Sequence, residues 1–347
     1  MKMISCTEKD MEHKNKISIN DAQIPDGYRR VVPIVFAVNA KYACYNAVTI
    51  QSIIEHCSEN DFYRIYILQD GLGDAFVRRL EGIGSKNVVV RCVDVGDLIN
   101  QKQVDLHIRA HFSKETYFRM VIPEIMPFYE KVIYLDCDLV VKDDVAALLN
   151  EDIGEHYIAG VRDCYAHMMD ERLKKDLGID GLGYVNAGVL VINMKQWLKH
   201  DLMTECFEMI SRTPKEKLLY LDQDVLNTVC YNKIYHFDEV WNFQWHMLHC
   251  EKRYEEMLVP RAMRIKDDCK ILHFSSQIKP WRQPELELSN EFWRYARKTD
   301  FYEEILYANM KEELEPEKLL AVLLKKKVLR AVMRKKLKKS FLYRLFK

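Results

Sequence analysis

The sequence predicts an α/β protein built around a single Rossmann-like, mostly parallel sheet. Between residues 31 and 141, apolar runs of strand length alternate with segments whose apolar residues recur at helical spacing. This alternation is typical of a parallel sheet with helices packed on its faces. Such sheets bind ligands beyond the carboxyl ends of their strands. Polar residues that directly follow an apolar run are therefore the first candidates for a functional site.

Four strands and three helices are predicted in this first part of the chain. Branched and aromatic residues dominate the strands, and the helices carry apolar residues three or four positions apart. Gly84 is the expected end of the second helix, and Pro123 is expected to break the third. The strands are predicted at 31–39, 62–68, 87–95 and 132–141, and the helices at 46–57, 73–84 and 116–125.

Shorter elements follow in the later part of the chain. The last predicted strand ends at His273, and a proline-bounded loop follows it at 279–284. Acidic residues open the helix predicted at 222–230, which is favourable because a helix N-terminus carries partial positive charge. Strand-like runs lie at 157–163, 184–197 and 271–275, and the residues after the loop are helical in character.

The composition is that of a globular protein able to bury a sizeable core. Of the 347 residues, 48% are hydrophobic and 30% are charged. Ten cysteines are scattered without a CxxC pair, which argues against a zinc ribbon and against a regular disulfide framework. Because there is no signal peptide and no long apolar span, the reducing cytoplasm is the expected location.

A net charge of zero conceals a strong asymmetry along the chain. Residues 318–347 hold 12 of the 52 basic residues and none of the 52 acidic ones, which leaves 40 against 52, a net charge of −12, in the rest. This basic tail, interleaved with apolar residues, favours an anionic membrane surface such as the inner face of the cell membrane. The alternative is a solvated helix packed on the body. A nucleic-acid partner is not expected, because the body is acidic and no recognition motif accompanies the tail.

Two aspartates, Asp136 and Asp138, interrupt the apolar run VIYLDCDLVV. Burying a carboxylate costs several kcal/mol unless it is paired, hydrogen-bonded or bound to a metal. In an extended strand both side chains would lie on one face, with Cys137 opposite, and two close negative charges favour a cation between them. Mg²⁺ and Mn²⁺ prefer such oxygen ligands. The alternative is that the strand ends here and water solvates both carboxylates.

Six sequence blocks occur in order over residues 32–282. They are FAVNAKY (36–42), TYFRM (116–120), YLDCDLVV (134–141), YVNAGVLVIN (184–193), LDQDVLN (221–227) and LHFSSQIKPW (272–281). Together these blocks resemble glycosyltransferase family 8, which includes bacterial lipopolysaccharide galactosyl- and glucosyltransferases and glycogenin. The resemblance implies a GT-A fold at 30–285, and the residues on either side predict a polar leader at 1–29 and a helical, basic C-terminal extension at 286–347. The resemblance also implies retaining transfer of glucose or galactose from a UDP-sugar to a glycan or glycolipid, with Mn²⁺ or possible Mg²⁺.

The resemblance implies a role for each matched residue. It makes Asp136, Asp138 and His273 the metal ligands, although a histidine taken alone is more often a core residue. It makes Gln223 and Asp222 the catalytic pair. It implies a donor-binding set of Ala37, Asn39, Tyr42, Arg119, Asp136, Cys137, Asp163, Asn186, Ala187, Ser276 and Lys279.

Several of these roles have a physical rationale and a simpler alternative. Tyr42 would stack on uracil, or it is a core tyrosine. Asn39 stands where relatives often carry Asp, and its amide oxygen would accept from the uracil imide more weakly. Arg119 and Lys279 would contact sugar and phosphate, or they are surface cations. Asp163 would bind sugar hydroxyls, or it caps a loop.

Two further blocks carry local expectations. Asn186, Ala187 and Gly188 are expected to form a small-residue turn before a strand, either approached closely by the donor or simply an ordinary turn. Ser276 stands where relatives commonly have Gly, so its φ must stay negative if the backbone is to approach a phosphate.

The pair Asp222 and Gln223 bears on the stereochemistry. Retention requires either a covalent intermediate or attack from the same face, and an amide is a poor nucleophile. Same-face attack is therefore the interpretation that Gln223 favours. The simpler alternative for Asp222 and Asp224 is capping of the helix N-terminus.

Two other functions compete with this one. A strand that ends in DxD also opens haloacid-dehalogenase phosphatases, in which the first Asp is the nucleophile, but the other blocks have no place in that mechanism. The second alternative is a catalytically weak, membrane-associated protein that binds a nucleotide. Asn39 and Ser276, which depart from the family pattern, would then be signs of the lost activity.

Overall fold

The computed structural model describes residues 17–107 and 113–313. The predictions for residues 1–16 and for the basic tail from Lys318 onward fall outside these residues. Residues 17–29, within the predicted leader, include a short 3₁₀-helix, and Asp21 there pairs with Arg64 at 3.5 Å and with Arg91 at 3.3 Å. The chain divides into two units after Asp300. The first unit holds the sheets described below, and the second begins with a helix at Tyr302–Glu313.

A seven-stranded sheet lies at the centre of the first unit, in the order β3-β2-β1-β4-β7-β6-β8. Within the described residues, β7 is antiparallel to its neighbours β4 and β6, and the other six strands run parallel, which confirms the predicted mostly parallel α/β sheet. Both faces are covered, so the central strands are continuous apolar runs rather than alternating ones. The strands are β1 (Val31–Ala37), β2 (Phe62–Gln69), β3 (Val88–Asp94), β4 (Lys131–Leu135), β5 (Leu139–Val141), β6 (Ile158–Arg162), β7 (Val185–Asn193), β8 (Ile234–His236), β9 (Phe243–Gln244) and β10 (Ile271–His273).

A second, three-stranded sheet has the order β5-β10-β9. The predicted strand at 132–141 is therefore wrong in one respect, because β4 and β5 belong to different sheets and the two aspartates lie in the bend between them. In this small sheet His273 pairs with Leu139 on one side and with Gln244 on the other. The pairing brings His273 beside Asp138 although 135 residues separate them.

Three local predictions need correction. The second helix ends at Glu81 with Gly82 at its C-cap, so Gly84 lies beyond it. Pro123 lies in the first turn of a short helix rather than breaking one, a position where its missing N–H costs nothing. Asn186 and its neighbours lie inside β7 and form no turn.

The helices predicted at 46–57 and 73–84 are confirmed with shifted ends, whereas most of the helix predicted at 116–125 is a 3₁₀-helix. No helix among the described residues is both long and apolar enough to cross a membrane. The α-helices are α1 (Ala43–His56), α2 (Asp74–Glu81), α3 (Gly96–Gln101), α4 (Ile122–Ile125), α5 (Asp170–Leu177), α6 (Met194–Lys199), α7 (Leu202–Arg212), α8 (Asp222–Val229), α9 (Lys252–Ile265), α10 (Ser289–Ala296) and α11 (Tyr302–Glu313), and the 3₁₀-helices are Ile19–Ala22, Lys114–Val121, Val145–Asn150, Ala166–Met169, Glu239–Asn242 and Trp245–Met247.

The buried apolar residues confirm the prediction of a sizeable core. Aromatic residues fill much of it, among them Tyr66, Tyr134 and Trp197, which are almost completely buried in one cluster around the large sheet. The nine cysteines that the structure describes form no disulfide bond with one another. Packing and hydrogen bonds hold this part of the fold together.

Candidate functional site

The candidate residues meet at one edge of the large sheet. Asp136 directly follows β4, and Asp163 directly follows β6. Because β7 runs the other way, its first residues, including Asn186, lie at the same edge. Gln223 in the first turn of α8 hydrogen-bonds to the start of β7. The carboxyl ends of the parallel strands therefore carry the site, as the fold class predicts.

Three potential metal ligands converge in the bend after β4. Nε2 of His273 lies 3.3 Å from Oδ1 of Asp138 and 3.8 Å from Oδ2 of Asp136. One ligand atom from each of the three residues lies within 4.8 Å of the others. Two carboxylates and an imidazole are a donor set that suits Mn²⁺. These three residues could therefore hold a divalent ion, and Cys137 lies half-buried between the two aspartates.

Gly188 lies directly behind the triad on β7. The backbone N–H of Asp136 donates to its carbonyl oxygen at 2.8 Å. A Cβ atom at this position would lie 2.2 Å from Cε1 of His273 and 2.8 Å from Oδ2 of Asp136. Only glycine leaves room for both ligands, so Gly188 has a steric role that the motif alone did not reveal.

Arg119 cross-links the triad to α8. Its guanidinium donates to Asp136 Oδ1 at 3.0 Å and to the carbonyl oxygen of Thr116 at 3.1 Å, and it lies 3.0 Å from Asp222 Oδ2. It also donates to the carbonyl oxygen of Ala187. The residue is only 4% exposed. Arg119 is therefore an interior cation that orients two carboxylates, and its contact with sugar or phosphate stays a prediction.

Asp222 is a buried carboxyl group beside this cation. Burial raises its pKa to about 6, against the opposing effects of Arg119 and of the hydrogen bond from Thr116 Oγ1. The backbone before it is unusual, because Leu221 has a φ of 45° and a ψ of −112°. A branched residue in that region costs about 1–3 kcal/mol. The fold therefore holds α8 in place against local strain.

Asp224 has a different role from its neighbour. It forms an ion pair with Arg172, and its carboxylate accepts from Tyr184 Oη at 2.6 Å and from the backbone N–H of Tyr220 at 2.9 Å. Leu221 is the N-cap of α8, and Asp224, the third helical residue, reaches back to the N–H of Tyr220 just before the helix, so part of its role is at the helix N-terminus. It is a buried anion paired within the fold.

Lys279 lies against the second aspartate of the triad. Its ammonium contacts Asp138 Oδ2 and donates to the carbonyl oxygen of Phe274 at 2.6 Å. Burial alone would raise the pKa of Asp138, because it disfavours the ionised carboxylate. Lys279 and His273 nevertheless hold this pKa well below its usual range. The loop after Lys279 is anchored by Trp281, which stacks on Tyr45 at 3.8 Å between ring centroids.

Ser276 fits its loop without the freedom of glycine. Its φ does not lie in the left-handed region. Its backbone N–H donates to the carbonyl oxygen of Phe274 at 2.9 Å, and its hydroxyl accepts from the N–H of Ile278 at 3.1 Å. The condition that the sequence imposed on Ser276 is therefore met.

The predicted uridine-binding residues lie at and after the end of β1. Ala37 ends the strand, and Tyr42 stands at the start of α1. Oδ1 of Asn39 accepts from the backbone N–H groups of Lys41 at 3.0 Å and Tyr42 at 3.2 Å, and its Nδ2 donates to Ser113 Oγ at 3.0 Å. The amide oxygen of Asn39 thus closes a local turn, so any bond to uracil must share it.

Gln223 is held by hydrogen bonds on both sides of its amide. Its Oε1 accepts from the backbone N–H of Ala187 at 2.9 Å, and its Nε2 donates to Asp163 Oδ2 at 3.3 Å. The same oxygen of Asp163 accepts from Asn186 Nδ2 at 3.2 Å. Burial raises the pKa of Asp163 even though these groups donate to it. The predicted catalytic and sugar-binding residues thus form one connected group.

Asn242 is the residue that sequence reasoning missed. It is 1% exposed and lies between the metal triad and the group around Gln223, in contact with both His273 and Asn186. It belongs to none of the six blocks, and no local pattern in EVWNFQ marks it. Only the three-dimensional contacts identify it.

The family model of glycosyl transferase family 8 matches residues 33–285. Among curated relatives, general stress protein A of Bacillus subtilis is 27% identical over 72% of this chain and 87% of its own length. The lipopolysaccharide 1,2-glucosyltransferase of Escherichia coli is 24% identical over 92% of this chain and 94% of its own length. The family model covers all of the predicted site residues, from Ala37 to Lys279.

Solved structures resemble the fold. The bifunctional glycosyltransferase WbbM has a TM-score of 0.70 at 26% identity, and the match spans 86% of this chain but 54% of WbbM. The galactosyltransferase LgtC, in complex with donor and acceptor sugar analogues, has a TM-score of 0.63 at 26% identity over 78% of this chain and 96% of LgtC. The comparisons give no support to the phosphatase alternative. The seven-stranded sheet and the similarity to WbbM and LgtC establish a GT-A fold. The chain belongs to glycosyltransferase family 8.

Proposed function

We propose that this chain is a retaining hexosyltransferase that transfers glucose or galactose from a UDP-sugar to a glycan or glycolipid acceptor. Lipopolysaccharide or another surface polysaccharide is the proposed acceptor class, and Mn²⁺, with Mg²⁺ as a substitute, is the proposed cofactor. The observation that carries the proposal is the convergence of Asp136, Asp138 and His273 near Asp163 and Gln223. The relatives named for lipopolysaccharide glucosyl transfer and galactosyl transfer support the sugar class.

The triad would hold the ion through Asp136, Asp138 and Nε2 of His273. A bound divalent ion supplies positive charge that neutralises the diphosphate of the leaving UDP. Lys279 would add a second positive charge once it turns from Asp138 toward a phosphate. Ser276 would offer its backbone to the same phosphates, and Ala37, Asn39, Tyr42 and Cys137 would surround the uridine.

The sugar would lie against Asp163 and Gln223, which are hydrogen-bonded to each other. Asp163, Asn186 and the backbone of Ala187 would bind its hydroxyl groups, and Arg119 would keep Asp222 ionised beside it. The carbonyl oxygen of Gln223 accepts one hydrogen bond, from Ala187, and its second lone pair could face positive charge that develops on the sugar.

We propose attack from the same face as the leaving group. The bond from the anomeric carbon to the UDP oxygen breaks, and the acceptor oxygen forms a bond to that carbon on the same face. The acceptor proton passes to the departing phosphate oxygen. No carboxylate nucleophile is required, which agrees with an amide at position 223 and with the engagement of Asp222 by Arg119.

A donor screen tests this proposal. The purified chain is incubated with UDP-glucose, UDP-galactose and other UDP-hexoses, with Mn²⁺, Mg²⁺ or EDTA, and products are read by mass spectrometry. We expect UDP release and sugar transfer from one hexose donor, lost with EDTA. UDP binding without turnover would instead support the alternative of a weak nucleotide-binding protein. Phosphate release from sugar phosphates in the absence of UDP would support the phosphatase alternative.

The anomeric configuration of the product tests the mechanism separately. Proton NMR of the transferred hexose distinguishes the α from the β linkage by its anomeric coupling constant. We expect the α configuration of the donor to persist. An inverted product would rule out same-face attack while leaving the transferase assignment intact.

We also propose that the basic tail, residues 318–347, holds the enzyme on the cytoplasmic face of the membrane. A variant with Lys335, Lys336, Lys338 and Lys339 changed to Gln should sediment less with vesicles rich in anionic lipid, since each basic residue near such a surface is worth about 1 kcal/mol. Zwitterionic vesicles are the control. Equal binding to both vesicle types would contradict the electrostatic role.

A further inference from the structure

We infer that Asn242 is a positioning residue that fixes the tautomer of His273 and connects the metal triad to the residues around the sugar. The inference rests on the proposed function, because it concerns the metal and the donor sugar. Asn242 Oδ1 lies 2.9 Å from Nδ1 of His273, and Asn242 Nδ2 donates to Asn186 Oδ1 at 3.0 Å. Both contacts are buried, so each polar atom must find its partner inside the protein.

The orientation of the chain of amides follows from a backbone group that can only donate. The N–H of Gly188 donates to Asn186 Oδ1 at 3.1 Å, and Asn186 Nδ2 faces the carboxylate of Asp163. Asn186 therefore presents its oxygen to Asn242, and Asn242 must present its NH₂ group in return. This leaves the oxygen of Asn242 toward the imidazole.

An oxygen acceptor at Nδ1 determines the state of His273. Nδ1 must carry a proton, so in the neutral ring Nε2 holds the lone pair, and Nε2 is the atom that faces Asp136 and Asp138. A metal ligand needs that arrangement, and a partner at the second ring nitrogen fixes the ring orientation as well as the tautomer. Asn242 thus prepares His273 to bind a divalent ion.

The backbone holds Asn242 in register with His273. Asn242 ends the 3₁₀-helix at Glu239–Asn242, and the next strand pairs with β10 at Leu272 and His273. The carbonyl oxygen of Val240 accepts from the N–H of Lys270 at 2.7 Å. These bonds place the amide beside the imidazole without help from a ligand.

The two hydrogen bonds of Asn242 can be separated by substitution. Asn242→Ala removes both. Asn242→Asp keeps an oxygen acceptor for Nδ1 of His273 but places a second oxygen against Asn186, whose own oxygen is fixed by Gly188. Asn242→Ala should impair His273 as a metal ligand. Asn242→Asp should disturb only Asn186 and the residues proposed to bind the sugar.

Three measurements on the full chain test the inference: Mn²⁺ affinity by electron paramagnetic resonance, the His273 tautomer in the metal-free protein by ¹⁵N NMR, and the rate of transfer. For Asn242→Ala we expect Mn²⁺ affinity to fall roughly 10–100-fold, the loss typical of a ligand's hydrogen-bond partner, and the Nδ1–H signal of His273 to weaken. For Asn242→Asp we expect Mn²⁺ affinity of at least the wild-type level and slower transfer.

Asn193→Ala is the matched control. Asn193 is also a buried amide whose hydrogen bonds hold the fold, but it lies at the opposite end of β7, where it caps α6. We expect it to lower the melting temperature while Mn²⁺ affinity changes less than about threefold, since distant sites act independently.

Two results would overturn the inference. One is wild-type Mn²⁺ affinity and an unchanged His273 tautomer in Asn242→Ala. The other, which holds even if Asn242→Ala does not fold, is weakened Mn²⁺ binding in Asn242→Asp. Failure of the proposed function is distinct, because it would appear as absence of UDP-sugar turnover in the wild-type protein, whatever the variants do to Mn²⁺ affinity.

Discussion

Asp138→Asn should remove metal-dependent turnover of the UDP-sugar. The amide has almost the same shape as the carboxylate but carries no charge, so it is a weaker ligand for a hard cation. It also leaves the buried ammonium of Lys279 without its anionic partner. Because even outer-sphere partners of metal ligands are worth roughly 10–100-fold, we expect kcat/KM to fall at least about a hundredfold. The measurement is initial rate against Mn²⁺ concentration.

Asp143→Asn is the control for this variant. Asp143 lies five residues further along and pairs with Lys270 at 2.9 Å, but half of its side chain is exposed. An exposed ion pair contributes about 0–1 kcal/mol to stability, so Asp143→Asn should leave both turnover and Mn²⁺ affinity near the wild-type values. If Asp138→Asn retains Mn²⁺-dependent turnover, Asp138 is not a ligand and the triad is a structural ion pair.

The alternation of strands and helices made the fold class predictable. The direction of β7 and the assignment of β4 and β5 to different sheets could not be predicted from the sequence. β7 is buried along its whole length, and a fully buried strand has the same apolar composition whether it runs parallel or antiparallel. The bend between β4 and β5 was hidden for a related reason. Both strands are buried, so the apolar run continues through a point where the chain passes from one sheet to the next.

Most of the chemistry-bearing residues were predictable because a family block contains them, whereas several of the residues that hold them were not. Asp136 and His273 belong to blocks, whereas Asn242 does not. The pairing of Arg119 with Asp222 joins residues 103 positions apart, and neither spacing nor composition encodes such a contact. Long-range hydrogen bonds determine how a site is oriented, and these become visible only in the folded chain.

Gly188→Ala should disable the metal site by steric conflict alone. The added methyl carbon would lie 2.2 Å from Cε1 and 3.0 Å from Nδ1 of His273, far inside van der Waals contact. His273 is 1% exposed and is held by Asn242, so it cannot move without breaking that bond. We expect a loss of about 1–3 kcal/mol in unfolding free energy, as in other overpacked cores, and a loss of Mn²⁺-dependent turnover. Urea unfolding and Mn²⁺ titration measure the two effects.

Gly183→Ala is the matched control, because it lies just before the same strand and a Cβ there meets nothing within 4 Å. We expect its unfolding free energy to change by less than about 0.5 kcal/mol. Wild-type Mn²⁺ affinity in Gly188→Ala would show that β7 can move away from the triad, contrary to this account.

A double-variant cycle identifies the clash itself. If the cost of Gly188→Ala arises from contact with the imidazole, it must shrink in a His273→Ala background, where the ring is absent and the methyl group fills part of the space. The two substitutions should then couple by about 0.5–3 kcal/mol in unfolding free energy, the range for residues in contact. Additive costs would place the strain at Asp136 Oδ2, which lies 2.8 Å from the added carbon, or in the backbone of β7, rather than at His273. Metal binding should stay lost in the double variant in either case, because the ligand is gone.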